Sequence, residues 1–379
     1  MDRNQWVGVL FVASVSCATV VAQVTLKTHD GLSHTSFLTG TNWSDNLPPS
    51  GTKDYVAAFN LRTPPNSSSY TFGGRSLQLD PDGTLLFKGS NVITVSYLRL
   101  NGGTVWQGSA GGTPDIARLA GGIEVIAPSR FATDVGGRTM DIRSTFTGSQ
   151  DVIFYITDLA ATTPFTNLLT TAANMPFSGR MVVSNRTVLV INAEDRLGTN
   201  AGPAHVSDLL TLVNGGNLRI TSSITLDDPH RGITVAGGAQ HPGGQITLDS
   251  GVTVWSWLPI SGNGLLIKSG SGTLNLRVIS NFTANTYSGG TIVEGGVLNA
   301  FTRGALGTGN LTVTNQGRVE LFSRAFQGTV INVYSGTVAL SVSDAAAGAT
   351  INVLAGGRLL LAAPNAANGA TLNWNPFGI

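Results

Sequence analysis

Apolar and polar residues alternate with a period of two along most of this chain, in short runs broken by glycine, which is the signature of strands and tight turns. The pattern is clearest between Asn285 and Leu361, where one cassette returns four times. It reads Thr291-Ile-Val-Glu-Gly295-Gly-Val-Leu298, then Leu311-Thr-Val-Thr-Asn-Gln-Gly317-Arg-Val-Glu-Leu321. It returns as Ile331-Asn-Val-Tyr-Ser-Gly336-Thr-Val-Ala-Leu340 and Ile351-Asn-Val-Leu-Ala-Gly356-Gly-Arg-Leu-Leu-Leu361. The turn glycines Gly295, Gly317, Gly336 and Gly356 are 22, 19 and 20 residues apart. A fixed period near twenty in strand-like units predicts stacked coils: an all-β chain folded as a right-handed parallel β-helix, with coils of roughly 20 residues and three short faces.

The alternation also says which side chains point inward. Ile331 and Val333 share one face and Val338 and Leu340 the next, with Gly336 at the corner. Their equivalents are Leu311, Val313, Val319 and Leu321, then Ile351, Val353, Leu359 and Leu361. Stacking puts like above like in a dry interior, while Asn332 and Asn352 face out or form a ladder. Looser copies occur at Leu77-Gln-Leu79 with Leu85-Leu-Phe87, at Leu210 to Ile220, at Ile246 to Val254 and at Gly272 to Leu276. Between Ile116 and Gly202 strand-like runs persist at 151–156, 181–183 and 188–191, separated by longer turns. No run of helical periodicity as long as ten residues interrupts them.

The repeats occupy 71–379 and are most regular over 205–361; Thr371-Leu-Asn-Trp374 reads as the start of another coil. Residues 23–70 lack the repeat and read as a cap over the first core layer, which an open solenoid needs if it is not to pair edge to edge. A sharper alternative makes Trp43 and Tyr55 a small binding patch. Residues 1–22 read as an export signal: Arg3 in a short basic start, an apolar run from Trp6 to Val15, and Val20-Val21-Ala22 before Gln23 as a small-residue cleavage site. Ser14, Ser16 and Thr19 interrupt the run, so no transmembrane anchor is expected. Cys17, the one cysteine, falls inside that leader, which leaves disulfide and thiol chemistry no part in the mature protein.

Composition sharpens this reading. Of 379 residues, 41% are hydrophobic and only 11% charged, with 48 glycines and a net charge of +1. So small a net charge supplies no field to attract nucleic acid. A monomer with an extracellular or cell-surface location is expected.

At Gly272-Thr-Leu-Asn-Leu276 and Asn285-Thr-Tyr-Ser-Gly-Gly-Thr-Ile-Val-Glu-Gly-Gly-Val-Leu298 the sequence resembles the autotransporter-associated β-strand repeat. Gly304-Ala-Leu-Gly-Thr-Gly309-Asn-Leu-Thr-Val313 matches the way that repeat continues. The resemblance is specific over about 270–313 and looser elsewhere. It implies an exported β-helical passenger, adhesive or structural in role, with no shared catalytic residue to carry over. Passengers of that family end in a membrane barrel. Here cassettes run to Leu361 in a chain of 379 residues, so translocation by a barrel of its own is not expected.

Parallel β-helices also carry polysaccharide lyases and hydrolases, and one cluster suits that chemistry. Asp227, Asp228, His230 and Arg231 follow the strand Ile224-Thr-Leu226. Two carboxylates can act as general acid and base, and Arg231 can hold an anionic sugar. Against this, neighbouring strand residues point to opposite faces and Pro229 marks a corner, so a solvated turn is preferred. Trp255 and Trp257 share one face, as core plugs or as an exposed carbohydrate-stacking pair, with packing preferred. Asp80-Pro-Asp82-Gly83 holds two oxygen-bearing side chains but reads as a turn rather than half a Ca²⁺ site. His29 and His34 lack partners at metal-ligand spacing, so no metal and no cofactor is expected. Three functions remain, in order: a non-enzymatic adhesive or scaffolding solenoid whose partners are extracellular glycans or cell-surface components, a carbohydrate-active enzyme, and a carbohydrate-binding module.

Overall fold

The computed structural model describes residues 23–27, 37–65, 68–108, 115–171, 175–198, 204–278, 284–326 and 328–375. The expected leader at 1–22, with Cys17, lies outside the described residues, as do His29 and His34. Every named strand pairing is parallel, and regular helix is limited, among the described residues, to the 3-10 segments Gly40–Asn42 and Glu194–Leu197. No helix among them is long and apolar enough to cross a membrane.

The coils stack into a β-solenoid built from an 18-stranded, a 9-stranded and a 7-stranded sheet. In the first half the long sheet supplies two faces. Val92–Asn101 and Ile116–Ala127 each turn a corner, so that Ile93 stacks on Leu119 in one half and Leu98 on Ile123 in the other. The nine-stranded sheet, from Asn60–Arg62 to Ile260–Ser261, makes the third face. Among the described residues the second face has no strand between Thr145–Gly148 and Ile224–Leu226, and it continues through Phe177 and Glu194–Leu197. It resumes as the seven-stranded sheet, from Ile224–Leu226 to Arg358–Leu361. Beyond Ile260–Ser261 the third side consists of turns that still hydrogen-bond coil to coil, as from Asn285 to Gly304 and from Gly304 to Arg324.

In-register stacking places one column of aliphatics inside. Leu311, Ile331 and Ile351 are fully buried one above another, as are Val313 and Val333, with Val353 next in register. Outside, Asn332, Asn352 and Asn373 form an amide ladder with bonds of 2.8 and 2.9 Å. The twenty-residue coil holds here, Asn332 and Asn352 being 20 residues apart. Upstream coils are longer, since loops are inserted between faces: the stacked pair Asn185 and Asn214 is separated by 29 residues. Two expected inward residues depart from the scheme. Leu359 is only partly buried and Leu361 is 59% exposed, because among the described residues no further strand of that sheet stacks upon Arg358–Leu361.

The first coils carry an aromatic cluster. Trp43, Tyr55, Phe37 and Phe72 are buried, with Trp43 and Tyr55 edge to face at 4.8 Å and the Trp43 indole N–H donating to the Phe37 carbonyl at 3.1 Å. Both Trp43 and Tyr55 are fully enclosed, so their rings offer no exposed patch.

Candidate functional site

The corner Asp227–Arg231 lies where the second face resumes, between Ile224–Leu226 and Arg231–Ala236. The structure brings to it a residue that the sequence did not suggest, Glu194, from the coil before. One Glu194 carboxylate oxygen accepts the backbone N–H of Asp227 at 2.9 Å and that of Asp228 at 3.1 Å. Asp228 in turn accepts the His230 amide at 3.0 Å, an Asx turn that the Pro229 ring favours. Arg231 is 2% exposed. Its guanidinium donates to the Leu197 carbonyl at 3.0 Å and to the Gly198 carbonyl, with Asp228 3.6 Å away. His230 lies 3.4 Å from Asp228 on the other side. Arg231 thus ties the corner to the 3-10 segment of the coil before, beside its own strand pairing with Val206, and the carboxylates are bonded to backbone amides as well as lying near cations.

Burial dominates the electrostatics. It pushes the Glu194 carboxyl up to about 7, helped by the Asp227 carboxylate and opposed by the two amides. It pushes the Arg231 guanidinium down from its ordinary value, against the attraction of Asp228 and Glu194. Glu194 therefore holds its proton more tightly in the folded chain. Between its ordinary 4.5 and about 7, folding takes up a proton. This contribution to stability is complete below the lower value and lost as pH rises through the upper one, on the order of 1–2 kcal/mol once partial solvation is allowed for. Glu194→Gln should flatten the dependence of melting temperature on pH across that window; a profile parallel to that of the unaltered chain would contradict the assignment.

The two tryptophans point outward and are covered in part by later coils. Trp255 stacks on Phe301 at 5.1 Å, and Phe301 on Phe322 at 4.6 Å with planes 4° apart. The Arg277 guanidinium lies 5.7 Å over the Trp257 ring. One face of each indole is therefore already occupied. Asp80 closes a turn onto the Gly83 amide, and its carboxylate accepts from Gln78 at 2.8 Å and Asn101 at 2.9 Å. Among the described residues no group of three or more metal-capable side chains occurs.

A second buried cation sits one coil further on. Lys268 is fully buried, and its ammonium donates to the carbonyls of Ser269 (3.1 Å), Gly270 (2.7 Å), Gly272 (2.7 Å) and Gly295 (2.8 Å). Burial pushes it down to about 8, while four carbonyl dipoles favour the charged form. Gly296 closes this cage at φ 61°, where a Cβ would stand 2.6 Å from the ammonium. The sequence carried a signal for Lys268: it has the inward parity of Leu266, in register with Ile246 and Val293.

Comparison with known proteins gives the same picture. Residues 266–300, which include Lys268 and its cage, match the passenger-associated-transport-repeat. Over 182 residues the chain is 29% identical to the Adhesin BmaC autotransporter of Brucella suis biovar 1 (strain 1330), a match covering 48% of this chain and 5% of that protein. The chain thus corresponds to a small part of that relative's length. No solved structure matches it. Together with the stacked parallel coils, these similarities support an autotransporter passenger-like repeat protein.

Proposed function

We propose that this chain is a non-enzymatic stretch of exported solenoid, displayed outside the cell, that attaches to extracellular glycans or other cell-surface components. The observation that carries this reading is the use made of its charged groups. The acidic corner with the best claim to chemistry ties coils together through backbone amides and carbonyls, and Lys268 does the same. The outer faces meanwhile present amide and hydroxyl ladders in register, such as Asn332–Asn352–Asn373 and Thr247–Ser269. Similarity to an autotransporter adhesin supports it.

Beads coated with the purified chain should stay on glycan-bearing cell layers under washing, and soluble chain should compete them off. Beads that wash away like albumin-coated ones would overturn the reading. One observation favours a second reading, a carbohydrate-active enzyme: Glu194, held near 7, lies beside Asp227 as an acid–base pair would. Release of oligosaccharides from acidic polymers that is lost in Glu194→Gln would establish the enzyme instead.

A further inference from the structure

Among the described residues, non-glycine residues with positive φ are Asn or Asp, whose short side chains tolerate the left-handed region, with two exceptions: Arg186 at 57° and Gln316 at 64°. Both are exposed, and both line corner grooves, that of Arg186 beside the long sheet and that of Gln316 beside the seven-stranded one. Arg186 follows Asn185 in a turn that stacks on Asn214-Gly215 in the next coil. The Arg186 amide donates to the Asn214 carbonyl at 3.3 Å, and Asn214 donates to the Asn185 side chain at 2.7 Å. At the equivalent position the next coil has Gly215, φ 83°, the residue this backbone suits. The chain keeps a long cation where glycine would be at ease, and strain of that kind gathers where a side chain must be presented.

The groove holds about 350 Å³ and is lined by Arg186, Thr162, Asn217, His241 and Gln245, with Gly215 between the Arg186 stem and the His241 ring. The guanidinium makes one long bond, 3.3 Å to the Ala161 carbonyl. Among the described residues no carboxylate lies within ion-pair distance of it, although Arg99, Arg180 and Arg219 are each paired across coils. Asp158 and Leu159 line a small hollow on its other side. A solvated fork donor without an anion, flanked by amides, a hydroxyl and an imidazole in an open polar trough, suits a sugar chain that carries negative charge.

We propose that the Arg186 groove binds an acidic polysaccharide, Arg186 taking its carboxylate or sulfate and Asn217, Gln245 and His241 its hydroxyls. This deepens the attachment reading above and rests on it. The test uses the full chain with immobilised polygalacturonate, dextran sulfate and neutral dextran. Binding to at least one acidic polymer and not to neutral dextran is expected, and the polymer bound tells carboxylate from sulfate. Arg186→Gly should raise the melting temperature, by relieving the strained φ, and weaken that binding at least tenfold. Gln316→Gly should relieve its own strain and leave the binding unchanged. Equal binding to neutral dextran, undiminished binding by Arg186→Gly, or a fall in its melting temperature would each overturn the proposal. So would failure of the unaltered chain to bind either acidic polymer. Bead attachment retained in Arg186→Gly would leave the broader attachment reading standing while removing this groove from it.

Discussion

Val333→Asp should melt the C-terminal coils together, at a cost above about 4 kcal/mol, while the coils before Gly243 keep their structure. Val333 is fully buried between Val313 and Val353, in register with both. An aspartate there has no donor within the aliphatic column, so it must take up a proton, drag in water or expel the strand. Because each coil is held by its neighbours, damage spreads to adjacent coils before it reaches distant ones. Two transitions in a melting curve are therefore expected, with hydrogen exchange accelerated first around Ile331–Leu340. A single transition at the unaltered temperature would mean that Val333 does not face inward.

Lys268→Met should have the next largest effect, about 3 kcal/mol or more, since an unbranched chain one atom shorter keeps the packing of the stem but leaves several buried carbonyls without a donor. Lys268→Arg is expected to fail as well: a planar fork cannot meet four carbonyls that converge on one point. The measurement is urea denaturation followed by near-ultraviolet dichroism. Loss below about 1 kcal/mol in the Met variant would show that water replaces the ammonium at little cost. The cage lies wholly within the part of the chain that matches the passenger-type repeat.

Where coil length is constant the fold was legible residue by residue. Ile331, Val333, Val338 and Leu340 face inward as the alternation requires, and Asn332 and Asn352 form the ladder their outward parity allows. Strands also stand where apolar runs predict them in the irregular middle, at Val152–Ile156, Met181–Ser184 and Val188–Ile191. What could not be read there was register. Glu194 meets Asp227 across 33 residues, and no fixed period counts that interval. Asp227, Asp228, His230 and Arg231 do form one cluster, but its acidic partner and the carbonyls that hold Arg231 come from a segment with no strand signal. Parity put Trp255 and Trp257 on one face without saying which, and the preferred reading as core plugs does not hold, since both lie on the outside; their covering by Phe301 and Arg277 depends on long side chains reaching across coils, which alternation does not encode. Arg186 was legible only by setting Asn185-Arg186 against Asn214-Gly215, and that alignment needs the stacking first.

The gap among the described strands of the second face, between Gly148 and Ile224, has a mechanical consequence. A pull along the coil stack would load rows of strand pairing on the other two faces, whereas on this one, among the described residues, the load passes through the Arg231 clamp and the Glu194 brace. Tension would concentrate at this joint, so a tethered filament under shear would part there and hold on either side, much as a chain opens at the link that has been closed with wire.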